Sequence, residues 1–181
     1  MFVSFEDWAK SNDIDEVRKR ETFWHIYYLL GYVLEGVTVY SVYKLNNWPE
    51  EQDIQRWPDN EELIQRIKHF TEVTHLDFFY KRVNPKTDTR VFDNDIVKYS
   101  IEGHNYRDIV HGLLEQEPVF EGVPYFGNGD IDDSVRNLIE KWNPRIRYYY
   151  WKVEIEGLLT ESNIRKLITT CIDIYSKVYK I

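Results

Sequence analysis

The sequence predicts an all-α protein: an up-and-down bundle of five or six helices with a long central helix. Three observations predict it. Apolar residues recur at the three-to-four spacing of a helix face through most of the 181 residues. Helix-start signals stand ahead of those stretches, with Asp13 and Glu16, then Asp59 and Glu62, three apart as in a capping box. No internal repeat, low-complexity tract or linker interrupts the chain, so residues 1–181 read as one domain of a size that can bury a full core.

The elements follow in order. The first ten residues suit a short helix with Phe5 and Trp8 on one side. A long helix then starts in "SNDIDEVRKR", capped by Asp13. Positions 23, 27, 30, 34 and 37 form its buried row, with 26, 29, 33 and 40 as a second row beside it, so it is expected near the middle of the bundle. Asn46, Asn47 and Pro49 end it. A second helix, capped by Asp59, buries Leu63, Ile67, Phe70 and Val73. "VNPKTDTRVFDND" reads as a loop. A shorter helix, capped by Asn105, turns Ile109, Val110, Leu113 and Leu114 inward. "EPVFEGVPYFGNGD" reads as a long surface loop. "DIDDSVRNLIEKW" is a helix whose early acidic residues favour its N-terminal dipole. In "NPRIRYYYWKVEIEG" Tyr149, Trp151, Val153 and Ile155 alternate with polar neighbours, which predicts an extended segment. Thr160 caps the last helix, whose stripe is Ile164, Leu167, Ile168, Cys171, Ile174, Tyr175 and Val178.

Composition excludes several classes. A net charge of −8 makes the chain a poor general binder of nucleic acid, since phosphate contacts drive non-specific affinity, and any RNA contact would need a local basic patch. One cysteine, Cys171, supports no disulfide framework. The start "MFVSFEDWAKSND" lacks a basic region followed by an apolar run, so no secretory signal is expected and the expected compartment is the cytoplasm. Residues 23–45 are long and apolar enough to resemble a membrane span, but they carry His25 and Glu35. A central carboxylate costs about 2.5–3.5 kcal/mol on insertion, so a core helix is expected and no membrane contact. The 14 Tyr and 6 Trp suit half-buried faces and interfaces, or stacking on bases.

"YYLLGYVLEGVTVY", residues 27–40, holds one carboxylate in an apolar run. Gly31 and Glu35 are four apart and share a helix face. A mid-helix glycine costs about 0.5–1 kcal/mol against alanine, which makes sense where another backbone comes close. A buried carboxylate there demands a donor or a proton. His104 and Asn105 in "GHNY", or Arg145 and Arg147 in "NPRIRY", can supply the donor, and Glu35 is expected to pair with His104 or Arg147.

Those residues resemble a family. "YYLLGYVLEGVTVYSVYK" is similar to the signature helix of HEPN domains of the prokaryotic Gly-Tyr-x-x-Glu branch, the nucleotidyltransferase-associated type. The likeness rests on Tyr28, Gly31, Tyr32 and Glu35, with Leu30 in place of the usual small residue and Val33–Leu34 in place of Ala-Val. "EGHNYRDIVHGLLE" resembles the family's His-Asn-Leu segment through His104 and Asn105, with Tyr106 replacing Leu. "KWNPRIRYYY…LLTESNIRKLITTCIDIYSKVY" resembles its C-terminal part through Trp142, Arg147–Tyr148 and Thr160. The resemblance implies a helical bundle that usually dimerises. It implies a place beside a minimal nucleotidyltransferase or in a toxin–antitoxin or phage-defence system, binding that partner, a nucleotide or RNA.

Several HEPN branches are metal-independent ribonucleases that pair two Arg-x4–6-His motifs at a dimer interface. Arg20, His25 and Tyr27 spell Arg-x4-His-x-Tyr. Histidine near neutral pKa can move a proton from a ribose hydroxyl while arginine holds the phosphate. The motif stands ahead of the glycine–glutamate signature, whereas the ribonuclease branches carry it late in the chain. Five residues on a helix turn through about 140°, so Arg20 and His25 share a face only if the helix begins between them. The alternative is a solvated basic run, "RKR", ahead of a core helix. His69 and His75 face different ways, and His104 and His111 lack a third ligand, so no metal and no cofactor is expected. Three functions therefore stand: a HEPN-like module that binds a partner, nucleotide or RNA; an Arg20–His25 ribonuclease; and a plain helical interaction domain.

Overall fold

The structure, a computed structural model, describes residues 15–49, 60–74, 76–77, 99–100, 106–116, 118–126, 131–148 and 153–180. These residues are mostly helical, and the protein is all-α. In chain order the helices are α1 (Glu16–Leu45), α2 (Glu61–Thr74), α3 (Tyr106–Gln116), α4 (Asp133–Lys141), the single turn α5 (Val153–Glu156) and α6 (Glu161–Lys180). Two 3-10 turns, Pro118–Gly122 and Pro144–Tyr148, add to them. The β-structure among the described residues is one parallel pair of two-residue strands, β1 (Leu76–Asp77) and β2 (Tyr99–Ser100), with Leu76 opposite Tyr99. The helix expected in the first ten residues, the loop at 83–95 and the Asn105 cap lie outside the described residues.

The chain divides into two compact units. One takes Met1–Val33 and Ile131–Ile172; the other takes Leu34–Asp130 and Asp173–Ile181. α1 and α6 each contribute a part to both.

In the first unit, α1 begins with Asp15 as its cap, accepting from the Arg18 amide at 2.9 Å. The cap is two residues later than the expected Asp13. Asp15 stands immediately before the first helical residue, from which its carboxylate reaches an orphan amide. Phe23, Tyr27 and Leu30 are buried as the periodicity predicted, and Trp24, which stands in neither expected row, is buried too. α4 is capped by Asp132, which accepts from the Ser134 amide at 3.0 Å, and buries Val135, Leu138 and Ile139. The segment expected to be extended is helical where it is described. Asn143 accepts from the Arg145 amide at 2.8 Å and nucleates the turn Pro144–Tyr148, where Pro144 is already set to helical φ. Val153–Glu156 forms a second turn that buries Ile155. Alternation over so few residues resembles two short helical turns, each burying one anchor. α6 starts where expected, with Thr160 Oγ1 accepting from the Asn163 amide at 3.2 Å.

In the second unit, the end of α1 is a Schellman cap. Asn47 has φ 51°, its amide donates to Lys44 O at 3.0 Å and the Trp48 amide donates to Tyr43 O at 3.0 Å. Trp48 packs edge-on against Tyr43, with ring centroids 5.5 Å apart, as that motif's hydrophobic contact requires. Buried hydroxyls on these helices bond back along their own backbone: Thr38 to Glu35 O, Ser41 to Val37 O and Thr74 to Phe70 O. α2 is capped by Asn60, which accepts from the Leu63 amide at 3.1 Å, one residue after the expected Asp59. Glu62, expected in a capping box, instead pairs with Arg66 one turn on at 2.7 Å. Leu63, Ile67 and Phe70 are buried and Val73 is half-buried. α2 packs on α3, and α3 on the turn at Pro118–Gly122. Over its described residues, 118–126, that segment corrects the reading of a surface loop: Phe120, Val123 and Phe126 are buried, with the two phenylalanine rings 5.8 Å apart. Proline and glycine shape the backbone there, but the aromatic residues between them anchor it inward. Near the end of α6, Lys44 donates to the carbonyls of Tyr179 (3.0 Å) and Val178 (3.4 Å), two of the last-turn acceptors that a helix leaves unpaired.

Two expectations of burial fail. On α1 the row that holds Leu29, Val33 and Tyr40 is exposed, at 50%, 46% and 48%; on α6 Tyr175 is 54% exposed. Apolar character marks a face that can be buried, not a neighbour that covers it.

Candidate functional site

The residues singled out in the sequence cluster on α1, and the first unit decides what several of them do. Gly31 sits beneath Trp142, the residue that ends α4. A Cβ at position 31 would fall inside the Trp142 indole. The close approach is therefore made by a side chain, not by the backbone the sequence suggested. An indole is flat, and only a position without Cβ lets it lie against a helix. Trp142 Nε1 donates to Tyr28 O at 3.1 Å, and the ring meets Tyr32 edge-on at 5.1 Å. Tyr32 in turn meets Tyr28, with ring centroids 5.0 Å apart and hydroxyls 3.0 Å apart. Sequence reasoning placed Trp142 only as a family-like landmark. The signal available was its place at the end of a strongly amphipathic helix.

Tyr27 is 1% exposed, and its hydroxyl donates to Leu138 O at 2.8 Å. That carbonyl belongs to the last turn of α4, whose acceptors lack partners within the helix. Burial raises the Tyr27 phenol above its ordinary value, so it holds its proton at neutral pH. Its geometry is that of a core tie.

Arg20 and His25 lie in one uninterrupted helix, so they point about 140° apart and are separated by about 7.5 Å along the axis. Arg20 forms an ion pair with Glu156, both side chains 43% exposed. The pair borders an open cleft of about 300 Å³ that also takes in Glu16, Val17, Lys19, Phe23 and Leu159. Lys19 is engaged by Glu16 at 2.9 Å. His25 is exposed and is not among the lining residues. The cleft thus offers two cations, each facing a carboxylate, over an apolar floor.

Glu35 is half-buried, and its carbonyl accepts from Thr38 Oγ1 at 2.8 Å. Its expected partners fall outside the described residues: His104 and Asn105 entirely, and Arg147 by its side chain. Of the remaining histidines, His69 and His111 are exposed and His75 lies outside the described residues. Among the described residues, no group of three or more His, Cys, Asp and Glu is placed to hold a metal ion. Among them, too, no helix is long and apolar enough to cross a membrane. Cys171 is buried, which pushes its thiol up to about 12 and leaves it unreactive at neutral pH. Asp132 has its carboxyl held below the usual aspartate range, chiefly by the hydrogen bond from Lys166 at 2.7 Å and then by that from Ser134.

Compared with protein-family models, with curated proteins and with solved structures, the chain matches none.

Proposed function

We propose that this chain is a helical association module: a HEPN-like, dimerising member of a bacterial toxin–antitoxin or defence pair. It works by binding a nucleotidyltransferase-type protein, a nucleotide or RNA. One observation carries the proposal. α1 keeps an apolar, half-exposed face at Leu29, Val33 and Tyr40 in a chain that otherwise has charged residues in nearly a third of its positions. Contiguous exposed apolar surface rimmed by polar residues marks association sites. The kinship itself rests on the sequence pattern around Gly31 and Glu35.

The ribonuclease alternative asks Arg20 and His25 to act together. On one helix they diverge, and Arg20 already faces Glu156, so a composite site would have to draw His25 from a second copy. Two measurements separate the functions. Co-expression with a nucleotidyltransferase-type protein encoded beside this chain should give co-purification at fixed stoichiometry; its absence removes the proposed partnership. Incubation of the purified chain with single-stranded RNA should leave the RNA intact. Cleavage lost in both Arg20→Ala and His25→Ala would establish the enzyme instead.

A further inference from the structure

The cleft of about 300 Å³ in the first unit is lined by the opening turns of α1, the end of α5 and Leu159. Phe23 and Leu159 are buried and supply its apolar floor. Its charged lining is Glu16, Lys19, Arg20 and Glu156, formally neutral in a chain of net −8. These groups keep bonding capacity in reserve. Arg20 gives Glu156 Oε1 one bond, from Nη1 at 2.5 Å, and its Nε and Nη2 donate to nothing among the described residues. That pair of nitrogens is an edge of the guanidinium fork that a carboxylate can grip with two parallel bonds. Glu156 and Glu16 each use Oε1 alone, so Oε2 of both accepts from nothing among the described residues.

We infer that this cleft binds a free apolar α-amino acid as its zwitterion. The ligand's carboxylate meets Arg20 and Lys19, its ammonium meets Glu156 and Glu16, and its side chain lies over Phe23 and Leu159. Charge selects this class. An α-amino acid is neutral overall and carries its two charges on either side of one carbon. It can therefore set each charge against the unlike member of the Arg20–Glu156 pair, whose own charges are adjacent. A phosphate ester offers only negative charge and would stand against both carboxylates, and a simple amine would stand against both cations. Size agrees, since about 300 Å³ is the small end of ligand sites and suits one residue-sized molecule. Arg20 and Glu156 are each 43% exposed, so water screens the charge contacts and the affinity is of about millimolar order. Such a site needs neither the exposed face of α1 nor a protein partner.

Titration of the isotope-labelled full chain with L-leucine, from about 0.1 to 20 mM, should shift the Arg20 side-chain resonance and the Val17 and Phe23 amides along one saturable curve. Three analogues dissect the contacts: leucinamide lacks the carboxylate, isocaproate lacks the ammonium, and glycine lacks the apolar body. Each should bind about fivefold or more weakly than leucine. Arg20→Gln and Glu156→Gln should each weaken leucine about fivefold. Either variant also breaks an ion pair of the fold, so the analogue series on the unaltered chain decides the matter should a variant lose its helical circular dichroism. Inorganic phosphate is the contrasting probe. Phosphate that binds at the same residues, and binds more tightly in Glu156→Gln, overturns the assignment in favour of a plain anion site. No saturable shift with leucine, isocaproate binding as tightly as leucine, or a leucine affinity indifferent to both folded variants overturns it as well.

Discussion

Gly31 and Gly36 are the same residue in the same helix, five positions apart, and they are there for opposite reasons. Gly31 is filled: the Trp142 indole lies where its side chain would be, and Tyr28 and Tyr32 brace the ring. Gly36 is open, with no atom of the described residues within 4 Å of the missing Cβ. A mid-helix glycine signals that something approaches closely. Whether that something is the chain's own core or another molecule is decided by contacts far away in sequence.

The comparison can be broken by substitution. The largest effect is expected at Gly31→Ala, whose methyl must displace a buried, rigid indole. Overpacking of this kind costs about 3 kcal/mol, read as a drop in the urea midpoint. A loss below about 1 kcal/mol would mean that Trp142 gives way easily and that the packing is loose. Tyr27→Phe comes next. It leaves Leu138 O without its hydroxyl donor and should cost about 1–3 kcal/mol, with helical content unchanged. Gly36→Ala has the opposite sign. In the dilute chain it should stabilise by about 0.5–1 kcal/mol, because it removes a flexible residue from an open helix position.

Cys171 supplies a reporter for the same contrast. Its buried thiol, pushed up to about 12, should resist a thiol reagent at pH 7.5 until the chain opens. Labelling should speed up in Gly31→Ala and slow down in Gly36→Ala. Equal rates in both would separate the glycines from global stability.

The smallest effect is acid dependence at Asp132. Its pKa is lowered in the folded state, so its contribution is present above the ordinary aspartate value and is lost as pH falls through the lowered one. Asp132→Asn should therefore lower the thermal midpoint at pH 7 and leave it nearly unchanged near pH 2. An equal drop at both pH values would assign the loss to something other than the carboxylate charge.

Much of the helical skeleton was legible from residue order. The buried row at 23, 27, 30, 34 and 37, the stop at Asn46–Asn47 and the Thr160 start all follow from interactions within one or two turns. The caps at Asp15 and Asn60 stand within two residues of those expected, because several adjacent Asp and Asn residues can each accept an orphan amide and the backbone selects one. The candidate site was less legible. Tyr27 completes a motif in the sequence but ties down an α4 carbonyl in the fold, and Arg20 is claimed by Glu156, which is 136 positions away.

Sequence alone determined the starts of the main described helices to within two residues and which stripe of each is fit for burial, since propensity, capping and periodicity act over four or five residues, whereas the short turns at Pro118–Gly122, Pro144–Tyr148 and Val153–Glu156 escaped it. Tertiary structure alone decided that Trp142 fills the notch at Gly31, that Phe120 and Phe126 draw a Pro/Gly-rich stretch inward, and that Leu29, Val33 and Tyr40 stay uncovered. An apolar side chain carries the same transfer free energy wherever it stands; whether it is buried depends on a partner surface arriving from elsewhere in the chain, or from another chain.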